Sequence, residues 1–429
     1  MKKLTLLLVA VLSLIGLAAC GNNENNNNNN NNDNNQTPAA EVIKVWCAEN
    51  IVELTKTQLA AYKTANPDVN VDFVVEAVGE GDAASKVTQD VTAAADIYCF
   101  PQDQLARLVA AGALSEIKGA TKDAVVAAND GGSVGAATVG DKLYAYPLTS
   151  DNGYFMYYDK SVINEASVGD MTKLIADCKA ANRQFSFELN NGWYAPSFFF
   201  ATGCSLDYTA NEKGEFISKN DTLNSANGLI AAKGMQELVK SSVWNNSSAS
   251  SAFTGKTTNE NGEQVDLENF VKSAVLVSGV WVYDDVVAAL GDNMGVAKLP
   301  SFTVDGTSYQ LGSFGGFKLV GTKPQSSTVR SAYVQSIATY LTSEACQVER
   351  FNAVSWGPSN LKAQGSDAVK ANPALVALAA QSAHAIPQGQ FPGDWWAACG
   401  AIAQNIYNDA TLEETLSKYQ TAVDALISK

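Results

Sequence analysis

Hydrophobic positions in this chain change period repeatedly from residue 41 onward. IKVWCA (43–48) is a short apolar, β-prone run. Ile51, Leu54, Leu59 and Tyr62 then recur at roughly helical spacing, and Asn66-Pro67 stops that helix. In VNVDFVVEAV (69–78), Val69, Val71, Phe73 and Val75 share one face, the period of a strand. Asp82 caps a second predicted helix, and ADIYCFP (95–101) reads as a third strand. QDQLARLVAAG (102–112) is a helix stopped by Gly112. Strands separated by helices predict a mostly parallel, doubly wound α/β sheet.

The rhythm then repeats. KLYAYPL (142–148) and GYFMYYDK (153–160) are adjacent strand-like runs. A helix over 170–181 leads to the alternating strand QFSFEL (184–189), followed by helices near 194–203 and 223–240. Strand SAVLVSG (273–279) precedes helix WVYDDVVAAL (281–290). The segment 244–264, rich in Ser, Asn, Thr and Gly, reads as surface loop. After strand GFKLVGT (316–322) the pattern is mostly helical. The whole resembles two α/β lobes joined by crossing segments.

The start of the chain follows different rules. Lys2 and Lys3 precede a nearly unbroken apolar run, Leu4 to Ala19, that ends in Ala18-Ala19-Cys20. This is the layout of a secretory signal, and the run is shorter than the roughly twenty residues a membrane span needs. Leu-Ala-Ala-Cys resembles the bacterial lipoprotein signal. That resemblance implies cleavage before Cys20 and a lipid anchor, palmitate included, on that residue. Twelve of the fourteen residues from Asn22 to Asn35 are Asn. Such a segment has no apolar surface to offset the entropy of ordering, so 20–40 is expected to be a disordered tether. A flexible coil of that length has an end-to-end distance of roughly 25 Å.

Composition narrows the function. With 429 residues, 46% of them hydrophobic, the chain is too long for one small core. The net charge is −15, and loss of Lys2 and Lys3 with the signal makes it −17. An acidic surface argues against nucleic acid, whose phosphates are bound by basic patches. No stretch after the signal is apolar and long enough to span a bilayer. The single histidine, His384, excludes HExxH and multi-histidine metal sites, and no CxxC spacing occurs. GxSxG, P-loop and GxGxxG patterns are also missing, so no metal and no cofactor is expected. Beyond Cys20 six cysteines remain, at 47, 99, 178, 204, 346 and 399. An even number in an exported chain permits three disulfides among fifteen pairings; sequential pairing, 47–99, 178–204 and 346–399, fits the topology, and small buried thiols are the alternative.

Several stretches taken in order carry a more specific likeness. DIYCFPQDQLARLVAAGALSEI, KLYAYPLTSDNGYFMYYDKSVI, NGWYAPSFFFATG, SGVWVYDD, MGVAKLPSF, GSFGGFKLVG, WGPSNLKA and WWAACGAI run from near residue 43 to the end of the chain. Together they resemble the sugar-binding proteins of bacterial ABC importers, the extracellular solute-binding family 1, in its maltose and maltodextrin branch. The resemblance implies a type II periplasmic-binding-protein fold, in which two lobes close by hinge bending around a sugar and present it to a permease. It implies lobes at 41–150 plus 299–345 and at 151–298 plus 346–429, with crossings near 149–156, 295–301 and 343–348. It implies a monomer held at the extracellular face of the bacterial cell membrane.

A sugar has apolar C–H faces and a rim of hydroxyls, so it calls for flat aromatic platforms and a few fixed polar groups in a cleft. The family places aromatics at positions matching Phe100, Trp193, Trp281, Trp395 and Trp396, and polar residues at positions matching Asp103 and Asp151, with Asn152 beside it. Of the adjacent pair, which cannot share one helix direction, Trp395 is expected to face the cleft. Glu49 and Asn50 follow the first strand, at the carboxyl end where open α/β sheets bind ligands. The chain departs from close maltose binders at Asn191, where they carry an acidic residue, and in AENIVE, which lacks their basic residue. An α-glucan oligosaccharide leads, and other oligosaccharides remain open. The alternatives are a secreted glycoside hydrolase using two carboxylates such as Asp103 and Asp151, the same fold holding a peptide, polyamine or anion, and a sensor that hands the sugar signal to a membrane kinase.

Overall fold

The computed structural model describes residues 40–211, 215–259 and 262–427. The signal segment, Cys20 and the Asn-rich run lie outside the described residues.

Two five-stranded sheets organise the body. The first runs in the order Val71–Ala77, Glu41–Cys47, Ile97–Pro101, Lys318–Thr322, Ala145–Thr149. Its first three strands are parallel, and Lys318–Thr322 runs antiparallel between Ile97–Pro101 and Ala145–Thr149. The second sheet repeats the plan: Trp244–Asn245, Gln184–Ser186, Ser273–Ser278, Phe155–Asp159, Met294–Ala297. Here too three parallel strands are followed by an inserted antiparallel one, Phe155–Asp159. Both faces of the central strands are covered by helices, so Ser273–Ser278 is buried at every position and reads as an unbroken apolar run rather than an alternation.

Each sheet has its own core. Ile43, Val45, Tyr98, Phe100, Leu319 and Ile337 belong to the first, and Met156, Phe185, Phe198, Met235, Phe302 and Trp395 to the second. The chain crosses first at 149–155. The other two crossings fall later than expected. Leu299, Phe302, Leu311 and Phe314 pack in the second core, so the return to the first lobe comes at 315–318 rather than near 295–301. Helix Glu344–Val354 stays with the first lobe: Gln58 donates to the Cys346 carbonyl at 3.1 Å and Gln347 to that of Pro147 at 3.4 Å. Helix Pro373–Ser382 packs Ala374 and Ala377 against Phe155 and Tyr157 of the second sheet. The final crossing is therefore at 365–373, not near 343–348. The expected boundaries erred because hairpin Ser301–Val304/Thr307–Gln310 hides a return to the second core inside a polar stretch.

The cysteine expectation is also corrected. All six described cysteines, Cys47, Cys99, Cys178, Cys204, Cys346 and Cys399, are free and buried. Cys346 sits beside the first lobe's Gln58, whereas Cys399 is in the second core, so the 346–399 pairing would have to bridge two lobes. Burial pushes the thiols of Cys99 and Cys399 well above their ordinary pKa, and all six act as small core residues.

Helix Ala226–Val239 shows how local sequence and packing cooperate. Ser225 caps it by accepting from Gly228 N at 3.1 Å. Inside it, Gly234 faces Phe302, and a Cβ there would overlap the ring. Gly234→Ala should therefore lower the melting temperature: overpacking costs about 1–3 kcal/mol, against about 1 kcal/mol gained in helix propensity. Thermal unfolding of the purified variant checks this.

Candidate functional site

The carboxyl ends of the parallel strands in both sheets open on one cleft. From the first lobe it receives Asn50 after Glu41–Cys47, Glu80 after Val71–Ala77, and Asp103 after Ile97–Pro101. From the second it receives Trp193, beyond Gln184–Ser186, and Trp281, just after Ser273–Ser278. Ligands of open α/β sheets bind at such strand ends because the loops there are free to vary while the sheet holds them rigid.

The cleft has two neighbouring cavities. The inner one, about 360 Å³, is lined by Asn50, Glu80, Lys318 and Trp356 of the first lobe, by Asn152 of the crossing, and by Trp193 and Trp281. Trp193 is half-buried; its ring stacks on Phe314 with centroids 5.2 Å apart, which fixes its plane. Asn191 Oδ1 accepts from the Trp193 backbone N–H at 2.9 Å and orders the loop. That loop lies close on helix Trp395–Tyr407: a Cβ on Gly192 would come within 2.5 Å of the Trp396 carbonyl. Trp281 folds back over Gly279, where a Cβ would overlap the indole. Only glycine admits that contact.

The polar side of the inner cavity is a charged corner. The Lys318 ammonium lies 3.5 Å from Glu80 Oε1 and 3.7 Å above the Trp356 ring. Burial works against this cation, but the carboxylates of Glu80 and Asp151 outweigh it, and the Lys318 pKa lies above its ordinary value. Glu80 Oε1 and Trp356 Nε1 are both buried without a hydrogen-bond partner among the described residues. The Trp356 Nε1–H is thus a free donor and Glu80 Oε1 an acceptor facing only the Lys318 ammonium, and each suits a ligand hydroxyl.

The outer cavity, about 390 Å³, shares Gly81 with the inner one. Asp103 and Arg107 line it from the first lobe; Phe216, Gln390, Phe391 and Trp396 line it from the second. Burial pushes the Asp103 carboxyl up to about 7, with Arg107 opposing in part, and its Oδ1 has no hydrogen-bond partner among the described residues. An acid whose folded pKa exceeds its unfolded value near 3.8 binds more protons folded than unfolded, so the folded state loses stability as pH rises from about 4 to about 7. Asp103→Asn should therefore raise the melting temperature by a few degrees at pH 8 and leave it nearly unchanged at pH 4. A pair of thermal scans across that range checks it.

The structure brings Trp193, Trp281, Trp396, Asp103, Asn50 and Asn152 to the cleft. It removes four expected contacts. Trp395 is wholly buried; its Nε1 donates to Tyr419 Oη at 2.9 Å and its ring stacks on Phe391 at 4.3 Å, so Trp396 is the cleft-facing member of the pair. Phe100 is wholly buried in the first core, 5.8 Å from Tyr98, because its strand is covered on both faces. Asp151 lies in the first crossing between the lobes: it is buried, and its Oδ2 accepts from Gly357 N at 2.5 Å. Glu49 is exposed and lines neither cavity, while its neighbour Asn50 does. Glu80, Arg107, Phe216, Lys318, Trp356 and Phe391 escape the sequence reading. Glu80 carries the same signal that singled out Asn50, a position just past a parallel strand, and Trp356 stands inside WGPSNLKA.

Among the described residues no cluster of His, Cys, Asp and Glu is arranged to hold a metal ion, and no helix is long and apolar enough to cross a membrane.

The family model for bacterial extracellular solute-binding proteins matches residues 57–377. A structure solved with acarbose is 26% identical, with TM-score 0.76, and covers 90% of this chain and 100% of its own. The maltodextrin-binding protein MalE1 from L. casei, without ligand, is 20% identical, TM-score 0.74, over 91% of this chain and 100% of its own. The GacH receptor of Streptomyces glaucescens, seen unliganded and with acarbose, is 17% identical, TM-score 0.72, over 90% and 98%. No curated protein sequence matches the chain.

Proposed function

Because the chain belongs to the bacterial extracellular solute-binding proteins, we propose that it captures an oligosaccharide, maltodextrin first among the candidates, and delivers it to the membrane subunits of an ABC importer. The observation that carries this reading is the inner cavity: two fixed indoles from one lobe face Asn50, Glu80 and Lys318 of the other. Indole faces suit the C–H faces of a pyranose, and the polar corner suits its hydroxyls. The likeness to proteins seen with acarbose or named for maltodextrin supports the same class. A family of extracellular solute-binding proteins works outside the cytoplasm, and its members are receptors rather than enzymes.

Closure would turn on the three crossings at 149–155, 315–318 and 365–373 and bring the indoles over a sugar resting on the first lobe. Cys20 would carry the lipid, and the Asn-rich tether would let a monomeric receptor sample the space near the membrane. A glycoside hydrolase is disfavoured by the position of Asp151. That carboxylate is turned to Gly357 at the hinge and does not join Asp103 in lining either cavity.

The test is tryptophan fluorescence of residues 41–429 during titration with glucose, maltose, maltotriose and longer maltodextrins. A saturable spectral change with an α-glucan and none with unrelated sugars is the expected result. No change with any α-glucan would overturn the maltodextrin assignment, and new reducing ends appearing in the mixture would overturn the receptor reading.

A further inference from the structure

Helix Glu344–Val354 of the first lobe buries a cation that the sugar-receptor reading does not use. Arg350 is only 4% exposed. With Cys47 of strand Glu41–Cys47 and Cys99 of strand Ile97–Pro101 it lines a cavity of about 30 Å³, away from the cleft. We propose that this cavity is a site for one small monatomic anion, such as chloride, held by the Arg350 guanidinium inside the first lobe.

Three observations carry this. First, the cation has no counter-charge among the described residues. Arg350 Nη2 donates to the Leu341 carbonyl at 3.1 Å, at the end of helix Thr328–Leu341, while Nε and Nη1 are buried without a hydrogen-bond partner among the described residues. Glu349, its chain neighbour, is exposed, and its Oε2 accepts from Gln58 at 2.9 Å. Glu80 is drawn to Lys318, 3.5 Å away. A guanidinium stripped of water needs an opposite charge beside it, and one carbonyl dipole is not that.

Second, the neighbouring thiols do not become that charge. Burial holds the thiols of Cys47, Cys99 and Cys346 above their ordinary pKa, although Arg350 pulls the other way. Burial lowers the Arg350 pKa as well, but a guanidinium stays protonated across the physiological range. The positive charge therefore persists in the lobe interior with neutral sulfur groups around it.

Third, the lining suits an anion in chemistry and in size. The guanidinium N–H groups, the Thr55 hydroxyl and the Cys47 and Cys99 thiols can all donate, and much of the remaining wall is apolar, including Ile51, Leu148 and Val320. No carboxylate lines the cavity, so it offers nothing to a metal cation. One water needs roughly 10–15 Å³, so about 30 Å³ takes one chloride or a pair of waters, while sulfate and phosphate are too large. Water would satisfy the two N–H groups but leave the charge uncancelled, which favours the anion. Cys47 and Thr55 flank the segment from which Asn50 reaches the cleft, so the ion would brace the first lobe behind its binding face.

Thermal unfolding of residues 41–429 in methanesulfonate, an anion too large for the cavity, with chloride or bromide replacing it at constant ionic strength, tests the proposal. Either halide should raise the melting temperature by about 2 °C or more, because it binds the folded chain alone. Arg350→Met keeps an unbranched side chain and removes the charge, and it should melt at one temperature in all three salts. Crystals grown in bromide should show an anomalous peak within hydrogen-bonding reach of Arg350 Nε and Nη1. Melting of the wild type that ignores the halide, an equal halide rise in Arg350→Met, or a cavity without bromide would overturn the anion site. If Arg350→Met does not fold, the halide rise and the bromide peak of the wild type together sustain the proposal, and loss of either overturns it. Sugar titrations are read separately, so the receptor reading stands or falls on its own test.

Discussion

Trp281→Ala folds normally and binds its sugar at least about thirtyfold more weakly than the wild type, a loss of about 2 kcal/mol or more, as for an aromatic at the centre of a desolvated contact. The expectation follows from how the indole is held. Trp281 is half-buried at the mouth of the inner cavity, and Gly279 lets its ring fold back onto the strand end, so it is set in place before any ligand arrives. A preset platform loses little entropy on binding, and its removal is felt almost wholly in affinity. The melting temperature of the empty variant should stay close to the wild type, because the ring is peripheral to the apolar cluster behind it. Calorimetry and thermal unfolding on the same preparation separate the two effects. A variant that binds normally would remove Trp281 from the site, and one that melts early would make it a core residue.

Trp395→Ala should show the reverse. Its side chain is wholly buried, stacks on Phe391 and donates to Tyr419. Truncating a fully buried Trp costs about 3–5 kcal/mol, mainly through the cavity left behind, with the hydrogen bond to Tyr419 lost as well. The expected result is a large fall in melting temperature, read by calorimetric or circular-dichroism scans. Loss of binding should follow only as the second lobe loosens. Two neighbouring tryptophans in one dipeptide therefore carry different duties: Trp395 holds the second lobe together and Trp396 meets the cleft.

The contrast marks where sequence reading stops. Strands such as Glu41–Cys47, Ile97–Pro101 and Ser273–Ser278 are legible because short runs rich in Val, Ile and aromatics between helical segments fit strands better than helices. The two-lobed plan comes from the family resemblance, since the pattern alone shows only that the α/β rhythm repeats. The phase of a helix is not: WW at a helix start does not say which ring turns inward, since that depends on where the neighbouring helix with Tyr419 lies. Phe100 and Asp151 look like site residues by position, and only the covering of both sheet faces and the proximity of Gly357 show that they belong to the core and to the first crossing. Lys318 interrupts an apolar strand and gives no hint that Glu80, Asp151 and Trp356 converge on it from three other segments. Hairpin Leu206–Asp221 is largely polar outside its anchors and carries too weak an alternation to be found.

Strand Lys318–Thr322 lies between Ile97–Pro101 and Ala145–Thr149 in the first sheet, although it comes after most of the second lobe in sequence. The first lobe can therefore not finish folding as it is synthesised. Its sheet keeps an open seam until a strand from far along the chain arrives, and a contact of such long sequence separation forms slowly. The second sheet, whose five strands all fall within 155–297, carries no such wait, so the two lobes complete their sheets at different points along the chain.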